Sequence, residues 1–106
     1  MNIVLLALML VASGAVAGEV YGTITDGGKP VPAGTKVEIS VSGKVDSGET
    51  DKFGSYRIFV KAKGKCRLTV HVKSQSPSVE LFSYDKSSRY DWILEAKKDT
   101  LSLRRK

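Results

Sequence analysis

Apolar residues fall at every second position through most of the chain after Gly18, which is the period of half-buried β-strands. In the clearest segment, 35–42, Val37, Ile39 and Val41 alternate with polar residues. Turn-forming residues interrupt the alternation, and no helical period is present. The pattern predicts seven or eight short strands, placed at 19–25, 35–42, a short stretch through Thr50, 56–60, 66–72, 78–84, 89–96 and a final hairpin into Leu101 and Leu103. The prediction is an all-β, antiparallel Greek-key sandwich.

Glycine, proline and aspartate mark the turns between these strands. Gly27 to Pro30 turns the chain, and 43–48 is predicted to be a polar turn. In the segment 51–54, Asp51 is suited to accept hydrogen bonds from nearby backbone amides, and Gly54 is suited to a positive φ. Trp92 and Leu94 are predicted to lie in the core.

The first seventeen residues carry no charged side chain. Ile3 to Ala12 is an unbroken apolar run, and the small residues Ala15 and Ala17 follow it, as in a secretory signal with an A-x-A cleavage site. We therefore predict a signal peptide at 1–17, a single mature domain at 18–106, and export to the periplasm or the medium. Two alternatives are an uncleaved N-terminal anchor and a first strand. After residue 17 no apolar stretch is long enough to span a membrane.

The order of motifs in the mature region resembles that of a known family. A V-x-G-x-I-x-D-x-G-x-P-V-P segment begins at Val20, a V-x-I-x-V strand follows at Val37, and T-D-x-x-G-x-Y follows at Thr50. This order resembles the carboxypeptidase regulatory-like domain, from about Val20 to Val72. The resemblance implies a prealbumin-like sandwich, related in fold to transthyretin and to carbohydrate-binding-like domains. It also implies an accessory role beside another protein.

Enzymatic chemistry is not expected from this composition. His71 is the only histidine and Cys66 the only cysteine, five residues apart on one predicted strand. Side chains at an odd spacing point to opposite faces of a strand, so a Cys–His dyad is excluded if the strand is regular. We predict a buried Cys66 and a solvent-facing His71.

No cofactor or metal is predicted. One histidine and one cysteine cannot supply the three or four clustered ligands of a zinc site. Asp46, Glu49 and Asp51 are carboxylates of the kind that bind calcium, but their spacing is better explained by a turn with solvated charges.

Positive charge suggests where a partner could bind. The chain carries a formal net charge of +6 at pH 7. Two basic groups stand out, one of which alternates so that its side chains share a face if the strand extends through the turn. They are Lys61, Lys63, Lys65 and Arg67, and, at the C-terminus, Arg104, Arg105 and Lys106 together with Lys97 and Lys98. Such patches attract anionic surfaces, although lysines also protect strand edges from aggregation. Nucleic acid is not an expected partner of an exported chain.

Aromatic residues are the second candidate surface. If Tyr56, Ile58 and Val60 face inward, Phe59 faces outward. We expect the C-terminal hairpin, with Leu101 and Leu103, to cover Phe82 and Tyr84.

These patterns favour a non-catalytic, exported β-sandwich module of the cell envelope that binds a protein or a glycan. The candidate partner-binding surface consists of Lys61, Lys63, Lys65, Arg67, Arg104, Arg105, Lys106 and Phe59. Two alternatives remain open at this point. One is a small-ligand carrier of the transthyretin type, and the other is a carbohydrate-binding module.

Overall fold

A computed structural model describes residues 18–84 and 86–106. The predicted signal peptide, at 1–17, lies outside the described residues. The described residues contain ten strands: β1 (Gly18–Asp26), β2 (Lys29–Pro30), β3 (Lys36–Val41), β4 (Lys44–Glu49), β5 (Ser55–Val60), β6 (Gly64–His71), β7 (Ser78–Ser83), β8 (Ser88–Arg89), β9 (Trp92–Lys97) and β10 (Thr100–Arg105). Within those ranges no helix has the length and apolarity needed to cross a membrane.

The strands form two sheets, as the alternation predicts for a sandwich. Sheet one has the order β10-β9-β1-β2, and β5 and β8 also pair with β1. Sheet two has the order β4-β3-β6-β7 and is antiparallel throughout. The all-β prediction is therefore confirmed.

The prediction of a wholly antiparallel arrangement is wrong for sheet one. β1 runs parallel to β8, with Val20 opposite Ser88, and parallel to β9, with Ile24 opposite Trp92. After β7, the chain returns to sheet one and lies beside β1 in the same direction. Alternation of apolar residues reports which face is buried and carries no information about strand direction, so the sequence pattern could not show this pairing.

The segment predicted as a polar turn at 43–48 is mostly strand. Only Ser42 and Gly43 form the turn, and both have a positive φ, of 50° and 82°. Two such residues in succession suit a tight hairpin between strands of right-handed twist. β4 lies at the edge of sheet two, where most of its residues are exposed. Its polar sequence therefore resembles that of a loop.

The core lies between the inner faces of the two sheets. Its largest fully buried members include Ile24 from sheet one and Ile39 and Leu68 from sheet two. The predictions of burial are confirmed for Trp92, which is 3% exposed, and for Cys66, which is 4% exposed.

The turn at 51–54 has the predicted chemistry. The Asp51 carboxylate accepts hydrogen bonds from the Phe53 amide, at 2.8 Å, and from the Ser55 amide, at 3.0 Å. Gly54 has a φ of 74°. Its carbonyl accepts a hydrogen bond from the Ile24 amide at 2.9 Å, which ties the turn to β1.

Candidate functional site

The predicted binding residues lie in three separate parts of the fold. Lys65 and Arg67 project from β6 in sheet two, with Lys61 and Lys63 in the turn before it. The C-terminal group lies on and after β10, at the edge of sheet one. Phe59 lies on β5, also in sheet one. The sequence could not show this division, because it depends on which strands pair.

Two members of the first basic group share the outer face of sheet two. β6 begins only at Gly64, so strand geometry fixes a common direction for Lys65 and Arg67 alone. Both contact Glu80 of β7: Lys65 Nζ lies 3.4 Å from one carboxylate oxygen, and Arg67 Nη2 lies 3.4 Å from the other. Arg67 also donates to Ser78 Oγ at 2.8 Å. One carboxylate shared by two cations leaves this area with a positive charge.

Two aromatic side chains lie beside these cations. Phe82 pairs with Lys65 across the β6–β7 ladder. The rings of Phe82 and Tyr84 stack with centroids 6.4 Å apart and planes 29° apart. Their exposed fractions are 51% and 52%. Together, Lys65, Arg67, Phe82 and Tyr84 form what we call the aromatic–basic surface.

The expectation that the C-terminal hairpin covers Phe82 and Tyr84 is wrong. β10 pairs with β9 and extends sheet one, whereas the two aromatics lie on sheet two. Leu101 and Leu103, which were expected to cover them, pack instead against the hydrophobic core. The sequence identified the apolar residues of β10 but could not show which sheet the strand would join.

Tyr90 supports the aromatic–basic surface at the free edge of β7. Its hydroxyl donates to the Phe82 carbonyl at 2.9 Å and accepts from the Phe82 amide at 3.4 Å. The N–H and C=O groups of Phe82 at the free edge of β7 therefore both have a hydrogen-bond partner. This residue cannot pair with a further strand at that edge. Phe82 is therefore held on a backbone that is fixed on both sides of β7.

Tyr90 is itself fixed by a buried aromatic network. Its ring stacks on Trp92 with centroids 5.8 Å apart and planes 5° apart. The Trp92 indole donates to the Tyr56 hydroxyl at 3.0 Å, and that hydroxyl donates to the Tyr90 carbonyl at 2.6 Å. Burial raises the pKa of Tyr56 far above its ordinary value, so this hydroxyl stays protonated and able to donate.

The two C-terminal arginines are engaged within the fold. Arg104 donates to Glu95 at 2.8 Å. The Arg105 guanidinium lies 4.4 Å from the centroid of the Tyr90 ring and donates to the Arg89 carbonyl at 3.1 Å. The Lys106 amide donates to the Asp91 carbonyl at 2.9 Å. Arg105 therefore has a structural role that its place in a basic tail did not suggest.

The outer face of sheet one carries Phe59 and an open cleft. Phe59 faces outward as predicted and is 62% exposed. The cleft, of about 460 Å³, is lined by residues that include Tyr21, Arg57 and Arg89. Arg57 and Arg89 lie on either side of Tyr21 in the register, and the Arg57 guanidinium is 5.2 Å from the Tyr21 ring. Sequence reasoning missed this cleft because it requires the pairing of β1 with β8.

Both arginines that line the cleft are paired with a carboxylate within the fold. Arg57 donates to Glu19 at 2.6 Å, and Arg89 donates to Asp91 at 3.0 Å. Asp91 also accepts from the Thr23 amide at 2.9 Å. Partial burial opposes ionisation of Asp91, but the hydrogen bonds from Thr23 and Arg89 outweigh it and lower the pKa of the carboxyl.

His71 makes contacts that the sequence did not reveal. Its Nε2 atom lies 2.5 Å from Glu38 Oε1, and its Nδ1 atom lies 3.2 Å from Ser76 Oγ. The order Ser–His–Glu is that of a hydrolase triad. The side chains of His71 and Glu38 are, however, 39% and 28% exposed, so water competes for the hydrogen bonds. These contacts join the segment after β6 to β3.

The outward orientation of His71 and the burial of Cys66 agree with the sequence analysis. His71 faces solvent, as predicted. The His71 hydrogen bond holds the pKa of the Glu38 carboxyl below its ordinary value. Cys66 lies on the opposite face of β6, where its thiol lies 3.6 Å from the Leu81 carbonyl and burial raises its pKa.

Two of the three carboxylates considered for calcium, Asp46 and Asp51, accept hydrogen bonds from backbone amides. Asp46 accepts from the Lys61 amide at 3.3 Å, and Asp51 accepts from the amides of its own turn. Residues 18–84 and 86–106 contain no group of three or more histidine, cysteine, aspartate or glutamate side chains arranged to hold a metal ion.

Comparison of the sequence with protein-family models gives no match, and no curated protein matches it either.

Proposed function

We propose that this chain is a non-catalytic, exported β-sandwich module of the cell envelope, and that it binds a protein or glycan partner through the aromatic–basic surface. The observation that carries the proposal is the stacked pair of Phe82 and Tyr84, each about half exposed beside Lys65 and Arg67.

Exposed aromatic rings leave apolar surface in contact with water, and a binding partner can bury that surface. Large apolar side chains in water forgo the free energy of burial, about 25 cal/mol per Å² of apolar surface. A partner that covers both rings recovers part of that free energy. Aromatic and arginine side chains are also the residue types that contribute most at binding interfaces.

The aromatic–basic surface is also preorganised. Phe82 is held in the ladder with β6 on one side and by the Tyr90 hydroxyl on the other. Binding therefore orders little additional backbone, so less of the interaction energy is lost as conformational entropy. The positive charge left by Lys65 and Arg67 around Glu80 favours an anionic group on the partner.

We further propose that the two sheets form a prealbumin-like Greek-key sandwich related to the carboxypeptidase regulatory-like domain. The motifs from Val20 to Val72 and the strand order both support this reading. In that order β1 lies beside β5 and β9, and β3 lies beside β6, so neighbours in a sheet are often distant in sequence. Export is supported by the uncharged, apolar segment at 1–17.

The two alternative functions differ in how the site would be used. A carrier of the transthyretin type needs an apolar cavity, whereas the cleft on sheet one is lined by polar residues such as Thr23, Asp51 and Ser55. A carbohydrate-binding module needs outward aromatic rings. Trp92 is buried and cannot serve, but Phe82 and Tyr84 provide such a platform. Glycan binding is therefore one of the two outcomes to be distinguished.

The test places a photo-activatable phenylalanine analogue at position 82 of the full chain, expressed in its native envelope. Matched controls carry the analogue at position 59, on the other sheet, and at position 29, on β2. Phe59 and Lys29 are both exposed, so the three probes have comparable access to solvent. We expect crosslinks to one stoichiometric partner from position 82, and few or none from positions 59 and 29.

The Phe82→Ala and Tyr84→Ala variants then identify the partner class. If a protein partner is captured, both substitutions should weaken its binding to the purified chain at least about tenfold, as for interface aromatics. If saccharides bind instead, the same substitutions should abolish retention on a glycan array. Equal crosslinking from all three positions, together with unchanged binding by both variants, would refute the proposed site.

A further inference from the structure

Gly18 occupies a position with no room for a side chain. It opens β1, opposite Val60, and is buried. A β-carbon at this residue would lie 1.6 Å from the Tyr84 carbonyl oxygen and 3.3 Å from Ser83 Oγ. The end of β7 therefore passes directly over the start of β1, and only glycine can occupy position 18 without displacing it.

Ser83, which borders Gly18, has a hydroxyl without a hydrogen-bond partner. The side chain is 2% exposed. Across 18–84 and 86–106, its Oγ atom is the one buried side-chain nitrogen or oxygen with no partner. Burying a hydroxyl in this state costs free energy, and buried polar groups in proteins are nearly always paired. Such an atom indicates a missing donor or acceptor at this place.

The sequence suggests what the missing group is. The A-x-A pattern ending at Ala17 puts the predicted cleavage between Ala17 and Gly18. We propose that Ser83 Oγ and the Tyr84 carbonyl form the binding site for the amino group that this cleavage creates on Gly18. The proposal rests on the export of the chain proposed above.

The chemistry of cleavage supplies the hydrogens that the site lacks. A signal peptidase hydrolyses the Ala17–Gly18 amide with one water molecule: the C–N bond breaks, Ala17 leaves with a carboxylate, and Gly18 keeps an ammonium group. The amide nitrogen of Gly18 has one hydrogen to donate, whereas the ammonium group has three. Two acceptors, Ser83 Oγ and the Tyr84 carbonyl, border the place that a β-carbon of Gly18 would take, beside the nitrogen on the same Cα. Hydrogen bonds from a charged donor to such acceptors are stronger than those from an amide. Processing would thus complete the packing between β1 and β7.

A double-mutant cycle on the purified domain tests the binding site directly. Two forms are released from a cleavable N-terminal fusion, one beginning at Gly18 and one retaining Ala17. Each is made with Ser83 and with Ser83→Ala, and their urea midpoints are compared. Ser102→Ala, at an exposed position on β10, is the matched control and should change neither form.

We expect Ser83→Ala to lower the urea midpoint of the form that begins at Gly18 and to change the longer form less. The Gly18 amino group should also react with an acylating reagent at least about tenfold more slowly in the folded domain than in urea, because a hydrogen-bonded and shielded amine is a poorer nucleophile. Equal effects of Ser83→Ala in the two forms, or equal acylation rates, would overturn the proposed binding site.

Export is tested separately, so the two failures are distinguishable. The full chain is produced in an exporting host, and the amino terminus of the released protein is sequenced. A terminus at Gly18 supports the proposal. A terminus elsewhere, or retention of Met1, would refute processing at this bond whatever the cycle on the purified domain shows.

Discussion

Gly54 is the residue whose substitution most directly tests the structure of the turn at 51–54. Its φ of 74° lies in the left-handed region, where a β-carbon costs roughly 1–2 kcal/mol. A β-carbon at Gly54 would also lie 2.6 Å from the Ile24 carbonyl oxygen and 3.0 Å from Pro30 Cβ. Because the carbonyl belongs to the central strand β1, it cannot move cheaply, and overpacking adds about 1–3 kcal/mol. Gly54→Ala should therefore reduce the free energy of unfolding by about 2–5 kcal/mol.

Gly43→Ala is the matched control for the steric contribution. Gly43 has a similar φ, of 82°, but no atom would lie within 4 Å of a β-carbon there. The control should therefore lose only the conformational cost, roughly 1–2 kcal/mol. The difference between the two variants measures the contact of the turn with β1 and Pro30.

Urea denaturation followed by Trp92 emission provides the assay. Trp92 is 3% exposed and its emission should shift to longer wavelength on unfolding. In a domain of this size, each kcal/mol also lowers Tm by roughly 4–8 °C, which gives an independent thermal measurement. Equal losses in Gly54→Ala and Gly43→Ala would show that the turn does not press on β1, and would refute the reasoning.

Three further predictions concern buried polar groups, two of them for Tyr56 and one for Cys66. Tyr56→Phe leaves the Trp92 indole N–H and the Tyr90 carbonyl without their partner, so it should destabilise the fold by about 1–3 kcal/mol, whereas Tyr84→Phe, at an exposed hydroxyl, should cost almost nothing. The raised pKa of Tyr56 contributes stability that is present below the pKa of an unfolded tyrosine, about 10, and is lost as the pH rises above it. The stability advantage of wild type over Tyr56→Phe should therefore shrink in alkali, and an advantage that stays the same from neutral to alkaline pH would contradict this. The thiol of Cys66 is buried with a raised pKa, so it should react with an aromatic disulfide reagent only as the protein unfolds in urea; complete reaction of the folded protein within mixing would show that the thiol is accessible.

The faces of the strands and the chemistry of one turn were predictable from the sequence alone. Alternation placed Val37, Ile39 and Trp92 in the core and turned His71 and Phe59 outward, because successive side chains in a strand point to opposite sides. The segment 51–54 was equally predictable, since its aspartate and glycine act on their own backbone within four residues.

Which strands are neighbours is set by the tertiary structure, and the proposed binding surface depends on that pairing. The parallel pairing of β1 with β9 and the position of β10 on sheet one left Phe82 and Tyr84 exposed on sheet two, against expectation. The close approach of the 83–84 segment to Gly18, which leaves no room for a β-carbon there, likewise joins residues far apart in the chain. Side-chain alternation is a local property of one strand, whereas strand pairing is set by the packing of the whole core. The sequence therefore determined the inward and outward faces, and the fold determined what lies beside them.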